Sequence, residues 1–200
     1  KSFVPVAHVA RVPNVLVVSA SSPLRTFKEF LTAVRAQPGR FTYSSGGNGS
    51  AGHITMEYLK LRAQLFLLHI PYRGTAPSLT DVIAGQVDTT FTGSTVVLPH
   101  VRSGRLRALA TSSAQRIPAL PDVPPIADVL PGYESAAYFG LLGPAKLPKD
   151  VLAKLHASAA RAAQSQELKS RLEPDGSRVV GGTPEEFAAF LAADVEKWRR

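Results

Sequence analysis

Short β-branched runs alternate with segments of helical period along this chain of 200 residues, and glycine gathers in the turns between them. Strand, turn and helix in regular succession predict an α/β fold with mostly parallel strands. At 44% hydrophobic residues the chain can bury a core, as one large domain or two small ones. It has no run of 18 apolar residues of the kind that crosses a bilayer.

The first predicted strand is residues 15–19, opening with Val15, Leu16, Val17 and Val18. Helix 26–36 sets Phe27, Phe30, Leu31 and Val34 on one face and stops at Pro38 and Gly39. Strand 41–45, helix 50–62, strand 65–70, helix 75–84, strand 87–91, helix 95–103 and strand 106–111 complete a compact series. Pro118, Pro121, Pro124, Pro125 and Pro131 then mark residues 117–133 as an ordered surface connection. The chain resumes with strand 137–142, helices 148–164 and 166–173, strand 178–180 and a last helix, 184–199. Thr183 as cap, Pro184 in the first turn and the carboxylates Glu185 and Glu186 are start signals for that helix and imply no chemistry.

The most informative segment runs from Phe41 to His53, where a strand enters a glycine-rich turn that opens a helix. Gly46, Gly47 and Gly49 permit torsions and approaches that a side chain forbids. The helix beginning near Ser50 points unpaired N–H groups and its positive dipole end at the turn, which makes an anion site. Tyr72 to Pro77 repeats the design after the next strand, and Thr92 to Thr95 repeats it again. In an open α/β sheet such turns share one edge, where ligands bind. Gly47, Gly49 and Gly52 also satisfy G-x-G-x-x-G, but no carboxylate follows the next strand before Asp81, against a dinucleotide fingerprint.

The formal charge of +8 raises the question of nucleic acid. The cations are scattered, however, and no aromatic side chains interleave with the His100 to Arg107 group to stack bases, so the excess reads as a surface that steers anions. With no cysteine there are no disulfides, thiolate metal sites or cysteine nucleophile. His8, His69 and His100 lack metal-ligand spacing, and His156 is read as exposed on an alanine-rich helix. His53 either points at a bound anion or covers the turn. Asn48 replaces the first glycine of a nucleophile elbow, which leaves Ser50 a poor nucleophile, and nothing selects Asp81, Asp122 or His156 as its partners. The predicted edge is rich in donors and poor in catalysts. No catalytic residue, metal or cofactor is assigned.

Seven segments in order carry a resemblance: Tyr43 to Ser50 with His53, Pro71 to Pro77, Gly85 to Asp88, Leu98 to His100, Gly104 to Ala110, Leu120 to Pro124, and Gly181 to Phe187. Over nearly the whole chain they resemble the Bug family, the substrate-binding proteins of tripartite tricarboxylate transporters. The resemblance implies a bacterial periplasmic protein of the type II binding-protein fold. Such a protein has two α/β domains joined by crossing strands, closes over a small carboxylate and passes it to a membrane permease. It implies no enzyme activity and no nucleic-acid partner.

Carried over by position, the binding residues are Ser44, Ser45, Gly46, Gly47, Asn48, Gly49, Ser50 and His53 in the first turn. Tyr72, Gly74, Thr75 and Ala76 belong to the second, with Thr92, Gly93 and Ser94 bordering them. Domain limits follow: 1–18 as a remnant of domain 1 with the first crossing strand, 19–136 as domain 2, and 137–200 as the second crossing strand with the rest of domain 1. Family members begin well upstream, so domain 1 is expected to be incomplete, with apolar faces open to self-association. Thr92 stands where many relatives carry aspartate, which favours a plain carboxylate over an amino acid. The alternative is a truncated relative serving as an interaction or sensing domain; a nucleotide-dependent enzyme or a serine hydrolase is more distant.

Overall fold

The computed structural model describes residues 2–199. Lys1 and Arg200, which the expected domain limits include, lie outside the described residues. The chain forms two compact units, with breaks after Arg11 and after Ala137. The first break lies inside β1 (Phe3–Ser19) and the second inside β6 (Ala136–Pro144), so both strands run from one unit into the other. The expected break after residue 18 is thus displaced to residue 11. The strand is also far longer than residues 15–19, because Pro5 and Pro13, which supply no N–H, obscure its first half in the sequence.

In the unit from Val12 to Ala137, β1 is followed by α1 (Phe27–Ala36), β2 (Thr42–Ser45), α2 (Ala51–Ala63) and β3 (Leu68–Pro71). Then come α3 (Thr75–Ile83), β4 (Thr89–Gly93), α4 (Ser94–Arg102) and β5 (Leu106–Thr111). The sheet order is β3-β2-β4-β1-β5. β2 pairs in parallel with β3 and β4, while β1 is antiparallel to both β4 and β5. The predicted mostly parallel sheet is therefore mixed, with β1 alone running against the rest. Hydrophobic period reports which residues are buried but not which way a strand runs. β3 also begins at Leu68 instead of residue 65, because Gln64 turns into the left-handed region at φ 53° and ends α2.

Both faces of this sheet are covered, which is why residues 15–18 read as an unbroken apolar run. Leu16 and Val18 pack with Phe27, Phe30, Leu31 and Val34 of α1 and Met56 and Leu59 of α2. Val15 and Val17 face the other way, onto Leu79 and Val82 of α3 and Val97 and Leu98 of α4. Each such side chain, fully buried, contributes about 1.5–3 kcal/mol. Two of the seven segments noted in the sequence, Gly85 to Asp88 and Gly104 to Ala110, tie strands to their neighbours. The Asp88 carboxylate accepts from Thr42 N at 2.7 Å and Thr42 Oγ1 at 2.9 Å, tying β2 to the entry of β4. Arg107 donates to the carbonyls of Ala20, Ser22 and Leu24, closing the connection after β1.

A buried polar network holds α2 to β1 and to the residues that follow β5 and precede β6. Asn14 Nδ2 donates to Thr55 Oγ1 at 3.0 Å, and Thr55 Oγ1 lies 2.7 Å from Ser135 Oγ. Asn14 N donates to Ser112 Oγ at 2.9 Å, and the Tyr133 hydroxyl donates to Thr55 O at 2.8 Å. Their sequence separations of 41 to 98 residues leave no local signal of these pairs.

The other unit holds the first part of β1, most of β6, α5 (Lys149–Gln164), α6 (Gln166–Leu172), β7 (Arg178–Val179) and α7 (Pro184–Trp198). β6 and β7 pair with β1, β7 through Ala10 and Arg11. α7 starts with the predicted cap, as a full capping box between Thr183 and Glu186. His8 is buried among aromatic rings, 5.0 Å from Phe187 and 4.5 Å from Phe190. His156, read from the sequence as exposed, instead turns inward, with Nδ1 3.0 Å from Val6 O. Tyr138, Phe139, Leu141 and Leu142 of β6 remain exposed.

Candidate functional site

Because β2, β3 and β4 run in the same direction, their carboxyl ends share one edge, and the three glycine-bearing turns leave from it. β1 starts its run through this unit at the same edge, where Asn14 pairs with Gly93. The ladder between β2 and β3 continues into the turns: Tyr72 N donates to Ser45 O at 3.1 Å and Gly74 N to Gly46 O at 3.2 Å. A Cβ on Gly46 would lie 3.2 Å from Thr75 Oγ1, and one on Gly47 would lie 3.2 Å from Tyr72 O. The first two turns are thus in contact, and glycine is what allows it. Gly47 and Gly49 also hold φ of 124° and 77°.

The helix starts at this edge differ from every other α-helix of the fold. α2, α3 and α4 carry no acidic residue in the first turn. α1 has Glu29, α5 Asp150, α6 Glu167, and α7 Glu185 and Glu186. An acid in the first turn offsets the positive end of the helix dipole, so these three ends keep theirs. α3 and α4 start from Gly74 and Gly93 with no side-chain cap. Their first-turn N–H groups have no partner within the helix. Ser94, fully buried at the start of α4, has no hydrogen-bond partner for its Oγ.

Several residues assigned from the sequence are occupied within the protein. The Ser44 hydroxyl accepts from Ser78 Oγ at 2.8 Å and is buried between β2 and α3. Ser45 Oγ lies 2.7 Å from His69 Nε2 and accepts from Gly47 N at 3.1 Å. Ser50 is the cap of α2, accepting from His53 N at 3.4 Å. The Tyr72 hydroxyl donates to the Asp81 carboxylate, which raises the phenol pKa. These side chains shape the turns. The main-chain N–H groups of Gly47, Gly49 and Gly74 are likewise taken, by Ser45 Oγ, His53 Nδ1 and Gly46 O, while Asn48, Thr75 and Ala76 lie at the surface. Thr92 is buried, at 7% exposure, and Gly93 packs against Val12.

His53 covers the turn: its Nδ1 accepts from Gly49 N at 3.1 Å. Its ring stacks on that of His69, 4.2 Å away, which in turn lies 4.7 Å from Tyr43. The Tyr43 hydroxyl donates to the Glu57 carboxylate, which also takes the Lys60 ammonium at 2.7 Å. Burial opposes the Glu57 charge, but these two partners outweigh it and hold its pKa low. Burial pushes the Tyr43 phenol up and the His69 imidazole down. The part played by His69 was not legible in the sequence, since its partner Ser45 is 24 residues away. The hydrolase alternative finds no geometry here. Ser50 caps a helix, Asp81 holds Tyr72, and His156 Nδ1 lies against Val6 O. Among the described residues no three His, Cys, Asp or Glu side chains are placed to hold a metal.

The model of the tripartite tricarboxylate transporter family receptor matches residues 1–200. A UPF0065 protein from the tcbD-tcbE intergenic region of Pseudomonas sp. (strain P51) is 36% identical over 202 residues, which span 100% of this chain and 60% of that protein. The solved structure of R. palustris Rpa4515 with adipate is 30% identical and superposes with a TM-score of 0.93, covering 100% of this chain and 67% of that one. MatC (Rpa3494) from Rhodopseudomonas palustris with bound malate is 27% identical, with a TM-score of 0.91 over 98% of this chain and 68% of that one. The chain thus spans about three fifths of the length of the first of these relatives.

Proposed function

On the premise that this chain belongs to the tripartite tricarboxylate transporter receptor family, matched over residues 1–200, we propose that it captures a small dicarboxylate through main-chain N–H groups of Asn48, Thr75 and Ala76 and of the first turn of α4. The observation that carries the reading is the set of three helix starts at one sheet edge, all free of first-turn acids, two of them uncapped. Oriented amides on a rigid edge hold carboxylate oxygens by charge-assisted hydrogen bonds. Adipate and malate, bound by two similar proteins, set the size class. The buried Thr92 adds no charge, which favours a plain acid over one bearing an ammonium group. The work done is binding and delivery to a membrane permease in the bacterial periplasm; among the described residues no helix is long and apolar enough to cross a membrane.

The test is a thermal-shift screen followed by calorimetric titration, with adipate, malate, monocarboxylates and amino acids as ligands and sulfate as control. A saturable shift with dicarboxylates and none with sulfate is expected. At a hundredfold excess over Kd, mass action adds about 2.7 kcal/mol to stability. A chain folded by circular dichroism that responds to no acid would overturn the reading and favour an interaction or sensing domain. A preference for amino acids would overturn the part assigned to Thr92.

A further inference from the structure

A cavity of about 380 Å³ opens in the unit that carries none of the three turns, between the first half of β1, the β7 segment and α7. Two arginines line it. Arg11 and Arg178 stand opposite each other in the β1–β7 ladder, where directly opposed side chains are neighbours. Aromatic rings supply the rest of the surface: the Arg11 guanidinium lies over the Phe190 ring, 5.6 Å from its centre, and the His8 ring packs 5.0 Å from Phe187 and 4.5 Å from Phe190. We propose that this cavity is a second binding site, for an aromatic monocarboxylate, with the carboxylate at Arg11 and Arg178 and the apolar body on the Phe187 and Phe190 rings. It stands independently of the dicarboxylate reading above.

A guanidinium is planar, always charged and able to grip both oxygens of a carboxylate at once. Arg178 is exposed, so its donors face water or a ligand. Two guanidinium groups set opposite each other repel, and an anion between them replaces that repulsion with attraction to a shared charge. His8 lines the same cavity, and its buried Nε2 has no hydrogen-bond partner among the described residues, a polar contact that this wall leaves unmade. The floor is set in advance. Phe187 is 2% exposed, and a Cβ on Gly140 of β6 would fall 2.2 Å from its Cζ, so the ring fills the space that the glycine leaves. A flat aromatic body gains ring contacts there that an aliphatic chain does not. Glu186 also lines the cavity, its carboxylate accepting from Thr183 N at 2.8 Å as part of the α7 cap. Its negative charge disfavours a ligand with a second carboxylate, which separates this site from the dicarboxylate edge.

The test titrates benzoate into the nitrogen-15-labelled chain while assigned amide signals are followed, with adipate and sulfate as comparisons. Saturable shifts at residues 8–11, 178–182 and 186–190 are expected with benzoate, undiminished by excess adipate. Arg178→Met, at an exposed position, should keep the native circular dichroism and weaken benzoate by about tenfold or more, the loss that follows removal of a charged hydrogen bond. Val180→Trp fills the cavity from a position 37% exposed and should abolish the same shifts. Because the cavity and the three turns belong to different units, failure of dicarboxylate binding leaves this outcome readable. Shifts confined to residues 48, 75–76 and 94–97 would assign benzoate to the other site and overturn the proposal. So would an equal response to sulfate, displacement by adipate, no saturable response, or native affinity in Arg178→Met.

Discussion

At Gly47 one missing β-carbon decides both conformation and contact. Its φ of 124° lies in the region that side chains avoid, and a Cβ there would stand 3.2 Å from Tyr72 O. Gly47→Val is expected to strain the turn by about 1–3 kcal/mol and to abolish dicarboxylate binding while far-UV circular dichroism is unchanged. Calorimetry against adipate, with urea unfolding as control, checks it, and retained affinity would place the site elsewhere. At this scale the sequence misjudged how the side chains of the turns are used. Ser44, Ser45 and Tyr72 are hydroxyl residues in a glycine-rich loop, the pattern of a ligand site, yet each spends its hydroxyl on a neighbour. Composition shows that a donor is present. Only coordinates show where it is already bonded.

Among the elements, α2 carries the most consequence, since its start forms the turn and its middle holds the Asn14, Ser112 and Ser135 network through Thr55. It lies on β4 so closely that a Cβ on Gly52 would come within 2.2 Å of Phe91 O. Because that neighbour is backbone in a central strand, it cannot swing aside. Gly52→Ala is therefore expected to cost about 3 kcal/mol, the upper end of the range for overpacking, although alanine is the better helix former on an exposed surface. Urea unfolding measures it; a neutral or stabilising result would mean that α2 can slide on the sheet. The start of α2 was legible because its cause is local, Ser50 capping three residues ahead of His53, whereas the left-handed turn at Gln64 that ends the helix carries no sequence signal. The contact that makes Gly52 indispensable was not legible either, since its partner comes from another strand.

Across the whole molecule, acid should weaken both units. His8 in one unit and His69 and His100 in the other all have pKa values lowered from 6.5, with burial the leading cause in each. The sign follows from linkage. Folding favours the uncharged rings, so the unfolded chain binds more protons as pH drops below about 6.5. Stability is thus fully present above that value and is lost as pH falls through the lowered folded-state values. Urea midpoints measured from about pH 7.5 downward should decline as imidazoles begin to charge; a midpoint that rises in acid would contradict the burial of these rings.

Read alone, the sequence determined the α/β class, the order of elements, the three donor-rich turns and, through seven ordered segments, the family. All of these rest on local periods, caps and turn residues, whose physics acts within a few positions. Tertiary structure decided that β1 runs against its neighbours and that the chain divides after Arg11. It also decided that His69 reaches Ser45, and that three helix starts without acids meet at one edge. Those outcomes depend on pairings between residues far apart in the chain, and no local period records which distant partner a strand or an imidazole will find.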